Sequence, residues 1–135
     1  MLDDIGHARG RACFLHLLLA EVHPFADGNG RIARLFVNSE LVGDGQARMI
    51  VPTAFRSDYL SCLEALTGNS LFQPLPDALD WMQRFVRSIP WDHEHASLAV
   101  LKRVGAFERP NSQTRLRIPT VMIIDEEIAH EEQFI

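Results

Sequence analysis

Residues 23–34 read HPFADGNGRIAR and bring a base, an acid, two glycines and two arginines into twelve positions. His23 can both accept and donate a proton near neutral pH, so it is the natural candidate for a general base. Asp27 offers a single carboxylate. Mg²⁺ in phosphate sites takes one or two such ligands and completes its shell with phosphates and water. The segment therefore carries groups suited to proton transfer and to metal-assisted phosphate chemistry.

The second half of the segment is typical of an anion site. Gly28, Asn29 and Gly30 stand where a helix is expected to begin. Glycines let a ligand approach the backbone closely, and the free N–H groups of a helix start bind anions. Arg31 and Arg34 share roughly one helix face, so they can hold two phosphate groups of a polyphosphate. The pattern predicts a clamp for a nucleoside triphosphate with a general base beside it.

Each of these residues also has an ordinary structural explanation. A histidine at a helix end is more often structural than catalytic, and a Gly-Asn-Gly turn before a helix is common. Two arginines on one helix face can simply be solvated. The conjunction of all of them within one short segment is what favours chemistry.

Three further residues are candidates around this segment. Phe25 is expected to be a core side chain that anchors the loop. Asn38 lies seven residues after Arg31 and can share its helix face, which makes it a candidate for the nucleotide pocket. Tyr59 is expected either in the core or in the pocket wall.

Helices are expected on both sides of the segment. Apolar residues over Ala8–Val22 recur at helical spacing, and this helix should end just before Pro24, which disfavours α geometry in the residue preceding it. A second helix should start near Asn29 or Gly30. The Gly-Asp-Gly sequence at 43–45 should stop it.

The rest of the chain predicts an all-α protein with an acidic tail. Apolar spacing indicates three more helices, with Thr53 and Asp92 as caps of the first and the last. These helices are expected over 54–66, 77–89 and 92–107. Residues 115–124 alternate imperfectly and could form one short strand, and residues 119–135 are expected to be an acidic, partly disordered tail.

Composition limits the class of protein. The chain has 135 residues, of which 47% are hydrophobic and 23% charged, as in a single globular domain. A formal net charge of −5 argues against a broad nucleic-acid surface. The longest apolar run is too short to span a bilayer, so no membrane partner is expected. Two cysteines in apolar helical patterns and no signal-peptide pattern predict a cytoplasmic protein, or one delivered into a host cytosol.

The segment HPFADGNGRIAR resembles the signature of the Fic family (filamentation induced by cAMP) at every defined position. That signature reads His-Pro-Phe, any residue, Asp or Glu, Gly-Asn-Gly-Arg, two residues, Arg. The Ile-Val-Pro connection at 50–52, the Arg-x-x-Tyr helix at 56–59 and the stretch 104–119 also resemble bacterial Fic proteins. The resemblance covers roughly residues 7–118. It implies a helical Fic-type fold, with residues 1–118 as a partial Fic domain.

The resemblance also implies an activity, which is transfer of AMP from ATP to a Ser, Thr or Tyr hydroxyl of a target protein. His23 would take the hydroxyl proton, and Asp27 would hold Mg²⁺. The amides of residues 28–30, together with Asn29, would form the anion hole. Arg31 and Arg34 would bind the β- and γ-phosphates. ATP is thus the expected substrate and Mg²⁺ the expected metal.

Two features of the family pattern are missing from the sequence. Fic domains have helices and a β-hairpin flap before the motif, whereas about one helix precedes His23, so a fragment or a completing partner chain is expected. No inhibitory segment of the form Ser/Thr-x-x-x-Glu-Gly/Asn is found. A regulator that blocks Arg34 is therefore expected in an N-terminal region or an antitoxin-like chain. The alternatives are a Fic enzyme that transfers another phosphoryl-containing group, one that removes AMP, and an inactive remnant that binds nucleotides or partners.

Overall fold

The computed structural model describes residues 6–109 and 116–133, and these residues form an all-α domain. Six α-helices and no strand are found within those ranges. The helices are α1 (Ala8–Val22), α2 (Asn29–Gly43), α3 (Arg56–Asn69), α4 (Pro74–Arg87), α5 (Glu94–Arg103) and α6 (Val121–Glu132), and a 3₁₀ turn at Thr53–Phe55 leads into α3. The prediction of an all-α protein is confirmed.

The first two helices form a hairpin around the motif loop. α1 ends at Val22, before Pro24, as the sequence predicts. His23 then adopts a left-handed conformation (φ 45°, ψ 57°), and its N–H donates to the Leu19 carbonyl oxygen at 3.3 Å. Gly28 is also left-handed (φ 83°), a region that favours glycine. These two turns aim the loop away from α1 and let α2 start at Asn29.

Two buried clusters hold the helices together. The first cluster joins the four helices α1, α2, α3 and α4. It contains large side chains with almost no exposure, among them Val37, Leu41, Leu75 and Met82. The second joins the end of α4 to α5 and α6 through residues such as Phe85 and Val100. Burial of these apolar side chains is the main stabilising contribution. The first cluster is the one that positions the motif loop.

The last helix corrects the strand prediction. Residues 121–124, expected within a strand over 115–124, form the first turn of α6. Residues 116–120 have no strand pairing, and residue 115 lies outside the described part of the chain. The alternating pattern extends across Pro119, but the chain is irregular up to Thr120, the N-cap residue of α6, and helical from Val121 onward. The predicted boundary at residue 118 stays a prediction.

Ion pairs join the acidic helix α6 to α5. Arg103 of α5 contacts Glu126 at 2.7 Å and Glu127 at 3.1 Å.

The predicted fourth and fifth helices are present, but their ends differ from the prediction. Helix α4 begins at Pro74, and α5 spans Glu94–Arg103. The expected cap Asp92 is not used, since His93 is the N-cap residue of α5. Within the described residues no helix has the length and apolar content needed to cross a membrane.

Candidate active site

The motif loop faces a cavity of about 1060 Å³. The start of α2, residues 49–51 and the start of α3 form its other walls. The cavity is thus built from the α1–α2 hairpin and the segment that follows it. Nine of the residues singled out from the sequence line it: His23, Asp27, Gly28, Asn29, Gly30, Arg31, Arg34, Asn38 and Tyr59.

The two motif arginines lie over the glycines that precede them. A Cβ placed on Gly30 would be 3.5 Å from Nη1 of Arg34, and a Cβ placed on Gly28 would be 3.6 Å from Nη2 of Arg31. Helical side chains point toward the N-terminus of their helix, which brings both guanidinium groups back to the loop. The structure therefore places two cations next to the backbone at the start of α2.

The backbone at this helix start has amides to offer. The Gly28 N–H donates to Oδ1 of Asp27 at 2.6 Å, and the Arg31 N–H donates to the Gly28 carbonyl oxygen at 2.9 Å. The amides of Asn29 and Gly30 have no acceptor among the described residues. Free N–H groups at the positive end of the helix dipole, beside two arginines, attract an anion.

Asn29 fixes the loop, and this changes the role expected of Phe25. The Phe25 N–H donates to Oδ1 of Asn29 at 3.0 Å, and Nδ2 of Asn29 donates to the Phe25 carbonyl oxygen at 2.7 Å. The Phe25 side chain is 49% exposed, so its prediction as a core side chain is wrong. The loop is closed by the backbone of Phe25 and the side chain of Asn29. Sequence pattern could not reveal this, because an apolar residue type does not state whether a neighbour covers it.

Asn38 shapes the cavity through the backbone. Its Nδ2 donates to the Met49 carbonyl oxygen at 2.9 Å, and its Oδ1 accepts from the Met49 N–H at 2.6 Å. Asn38 lines the cavity, while its amide group holds residues 49–51 in place as the facing wall. It therefore acts on the site through Met49.

Tyr59 is both a core residue and a wall of the cavity, so the two locations considered for it coincide. It is 2% exposed, and its hydroxyl lies 2.6 Å from Nε2 of His16. Burial raises the pKa of Tyr59, although the charge of Arg34 acts in the opposite direction. Burial, and then the charge of Arg34, lower the pKa of His16 to about 4.

Two lining or supporting residues escaped the sequence analysis. His16 is buried beneath the site, and the only sign of it was a histidine within an apolar run. Arg56 adds a third guanidinium to the cavity wall. It lies three residues before Tyr59, one helical turn away, which is the signal that could have found it.

His23 and Asp27 stand at the solvent-exposed rim. The His23 side chain contacts no carboxylate among the described residues. Oδ2 of Asp27 lies 3.7 Å from Nη2 of Arg31, and the Asp27 side chain is 93% exposed. No group of three or more acidic, histidine or cysteine side chains that could hold a metal occurs in the described ranges. A lone rim carboxylate beside an anion cavity does fit Mg²⁺ that is mostly ligated by phosphates and water.

These features describe an all-α protein with a cavity at a helix start that is lined by arginines and flanked by a histidine. Residues 3–41, which contain the loop and most of α2, match the model of the Fic/DOC family. The chain belongs to the Fic/DOC family.

Curated relatives carry the same family name. The chain is 31% identical over 98 residues to protein adenylyltransferase fic-1 of Caenorhabditis elegans. This alignment covers 73% of this chain and 16% of that relative. It is 40% identical over 58 residues to protein adenylyltransferase Fic of Drosophila persimilis. This second alignment covers 43% of this chain and 11% of that relative. The chain thus spans only a small part of the length of these relatives. No solved structure matches it.

Proposed function

We propose that this chain carries the nucleotide-binding and catalytic part of a protein adenylyltransferase, which moves AMP from ATP to a Ser, Thr or Tyr hydroxyl of a target protein. The observation that carries the proposal is the convergence on one cavity of a histidine, open helix-start amides and three arginines. Phosphoryl-type transfer needs positioning and charge stabilisation more than covalent chemistry from the protein.

Each group has a role in this reaction. His23 accepts the proton of the target hydroxyl as its oxygen attacks the α-phosphorus. A bond forms between that oxygen and the α-phosphorus, the bond to the bridging oxygen breaks, and pyrophosphate leaves. The amides of Asn29 and Gly30 stabilise charge on the transferred phosphate. Arg31 and Arg34 hold the β- and γ-phosphates and stabilise the charge of the leaving group.

Asp27 is the residue that would hold Mg²⁺. When bound, the metal would neutralise part of the polyphosphate charge. Asp27 also has a role of its own, because its carboxylate accepts the Gly28 N–H and so helps to fix the turn before α2. Both roles use the same short loop.

The test is transfer of label from ATP to protein, with a candidate target or with the chain itself as acceptor. Label on the α-phosphate should appear on protein, and His23→Ala should lower this by about two to four orders of magnitude. His95→Ala is the matched control, because His95 is 86% exposed at another helix start and should transfer normally.

Other outcomes would contradict the proposal. Protein labelled from the γ-phosphate instead would indicate transfer of a different phosphoryl-containing group. Binding of Mg-ATP with no transfer from either position would indicate a nucleotide-binding module. Removal of AMP from a modified protein, without the forward transfer, would indicate the reverse activity.

A further inference from the structure

A buried glutamine of α4 connects three parts of the domain. Gln83 is 1% exposed, and the proposed reaction gives it no role. Its Nε2 donates to the Ala47 carbonyl oxygen at 2.7 Å and to Oε1 of Gln46 at 3.3 Å. Its Oε1 accepts from Nη2 of Arg9 at 3.0 Å. Gln83 therefore ties the segment that follows α2 to α4 and to the first turn of α1.

The partners of the Gln83 amide fix its orientation. A guanidinium has only donors and a backbone carbonyl oxygen only accepts, so the amide oxygen faces Arg9 and the amide nitrogen faces Ala47. Arg9 is itself held by Asp80, whose Oδ1 lies 3.3 Å from Nη1. Asp80 also pairs with Arg84 at 2.9 Å. The reversed amide would place donor against donor and acceptor against acceptor, so a single arrangement satisfies this network.

The segment that Gln83 holds becomes a wall of the cavity two residues later. Residues 49–51, here called the 49–51 wall, line the cavity. The described chain gives residues 47–51 no backbone–backbone hydrogen bond. Asn38 bonds the N–H and the carbonyl oxygen of Met49 at 2.6 and 2.9 Å, and Gln83 bonds the carbonyl oxygen of Ala47. The polar anchoring of the wall thus comes from two side-chain amides.

These two amides relate the wall to both helices of the motif hairpin. Asn38 lies on α2, one turn after Arg34. Gln83 reaches α1 through Arg9, and His23 follows directly after the last residue of α1. A satisfied buried polar network adds little net stability compared with apolar packing, but it specifies one arrangement of the parts that it joins. Here those parts are the wall and the helices that carry the motif residues.

We propose that Gln83, held by Arg9, is a positioning residue that fixes the 49–51 wall at the distance from the start of α2 that a bound nucleotide requires. The inference rests on the proposed function for the identity of the ligand. Gln83 does not line the cavity, so it acts through the Ala47 carbonyl group and touches neither the ligand nor the reacting atoms.

The experiment measures the affinity for Mg-ATP by calorimetry, together with KM and kcat, at a temperature where every variant is folded. Gln83→Leu keeps roughly the size of the side chain but removes its three hydrogen bonds. Affinity for Mg-ATP should fall about tenfold and KM should rise by a similar factor, with a smaller change in kcat. Ser97→Ala is the matched control, because it removes a hydrogen bond of another buried side chain, to the Pro90 carbonyl oxygen at 2.6 Å. It should bind Mg-ATP as wild type does.

Substitutions of Arg9 test the outer end of the network. Arg9→Met leaves the Gln83 oxygen without its donor, so affinity for Mg-ATP should fall about threefold. Arg9→Lys should bind Mg-ATP much as wild type does, because an ammonium group can still donate to that oxygen. Should Gln83→Leu fail to fold, this pair still decides, and equal affinities of Arg9→Met and wild type would overturn the role of Arg9.

Hydrogen exchange gives a readout that a purely structural role would not produce. The Met49 N–H is bonded to Oδ1 of Asn38, so its exchange reports the position of the wall. If Gln83 holds the wall, Gln83→Leu should speed exchange at Met49 at least about tenfold relative to the amide of Val37, a buried residue of α2. A general loss of stability would accelerate both amides equally.

The outcomes separate this inference from the proposed function. Equal Mg-ATP affinity of wild type and Gln83→Leu, or equal acceleration of the Met49 and Val37 amides, would overturn the positioning role even if AMP transfer is found. Weakened Mg-ATP binding with selective acceleration at Met49, but without AMP transfer by wild type, would support the positioning role and refute the proposed function. Wild type that binds no Mg-ATP would overturn both.

Discussion

The starts of α2 and α5 differ in what accepts hydrogen bonds from their first backbone N–H groups. In neither helix does a backbone N–H donate to the side chain of the N-cap residue, so the first backbone N–H groups of both need other acceptors. At α5 the acceptor comes from α6, where the Glu131 carboxylate binds the Ala96 N–H at 3.1 Å and the His95 N–H at 3.4 Å. At α2 the Asp27 carboxylate accepts from the N–H of the N-cap residue Gly28, but no described group accepts from the N–H of Asn29 or Gly30. The first N–H groups of α5 thus have an internal acceptor, whereas those of α2 face a cavity.

The effect on Glu131 shows what such a helix start does to an anion. Burial raises the pKa of Glu131, but the hydrogen bonds from the Ala96 and His95 amides, with the nearby His93 and His95, outweigh it and lower the pKa overall. The protein therefore favours a negative charge at the start of α5. The start of α2 has two arginines in the equivalent surroundings. The Asn29 and Gly30 amides have no described acceptor, so an anionic ligand should be favoured there in addition to the exposed Asp27 carboxylate.

The largest effect should come from giving α2 an internal anion of its own. Gly30→Asp would put a carboxylate at the helix start, beside Nη1 of Arg34, which is 3.5 Å from the position of a Cβ. Affinity for Mg-ATP should fall about a hundredfold or more, because the new carboxylate occupies the amides and pairs with the arginine. The melting temperature should not fall, since glycine is replaced within a helix and the added charge suits its start. Calorimetry and thermal unfolding measure the two effects.

Gly30→Ala is the control for this substitution. A Cβ at that position makes only ordinary contacts, so the alanine variant should bind ATP much as wild type does. If Gly30→Ala and Gly30→Asp lose affinity equally, the effect is steric, and the contrast drawn between the two helix starts is wrong.

The support beneath α2 should weaken in acid before the α5 cap does. The pKa of His16 is about 4 in the folded protein against an ordinary value of 6.5, so between these values the unfolded chain binds the extra proton. The free energy of unfolding should therefore decrease as pH falls from about 6.5 to about 4, by on the order of 3 kcal/mol. Urea denaturation across this range measures it, and His16→Gln should remove this part of the slope. A slope that is the same in His16→Gln would contradict the assignment.

The Glu131 cap has a different pH window. Because the pKa of Glu131 is lowered on folding, its contribution to stability is present above the ordinary carboxyl range and is lost as pH falls through the folded value. The two ends of the molecule should thus respond to acid in sequence, with α1–α3 affected first. Hydrogen exchange resolved by helix would separate them.

The contrast between the two helix starts also shows which residues of the site could be predicted from the sequence. The motif residues were found because their types and spacing are local, and Pro24 and Gly28 mark the turns around them. Arg56 has a local signal in its spacing one turn before Tyr59, but its place in the cavity, like the burial of His16, depends on how α3 packs against α1. Phe25 was misplaced for the same reason. Glu131 was unforeseen too, since a carboxylate near the chain end serves as a cap only because α6 folds back onto α5.

A smaller effect on activity is expected from opening the motif loop. Asn29→Ala removes both hydrogen bonds to the Phe25 backbone, but these bonds are exposed, so stability should change little. The loop would then sample other positions relative to Arg31 and Arg34. AMP transfer should fall roughly tenfold, because small displacements of positioning groups cost rate. Kinetics with labelled ATP, next to thermal unfolding, would measure this, and an unchanged rate would show that the closure of the loop is dispensable.

The smallest effect on the site should follow from removing the anion at α5. Glu131→Gln keeps the size of the side chain but removes the charge that accepts from the Ala96 and His95 amides. Helix capping by a charged group is stabilising, so the melting temperature should fall by roughly a few degrees. ATP binding should stay unchanged, because α2 packs in the other hydrophobic cluster through Val37 and Leu41. Loss of ATP binding in this variant would mean that the two helix starts are coupled. The distinction between an internally capped α5 and a ligand-binding α2 would then be wrong.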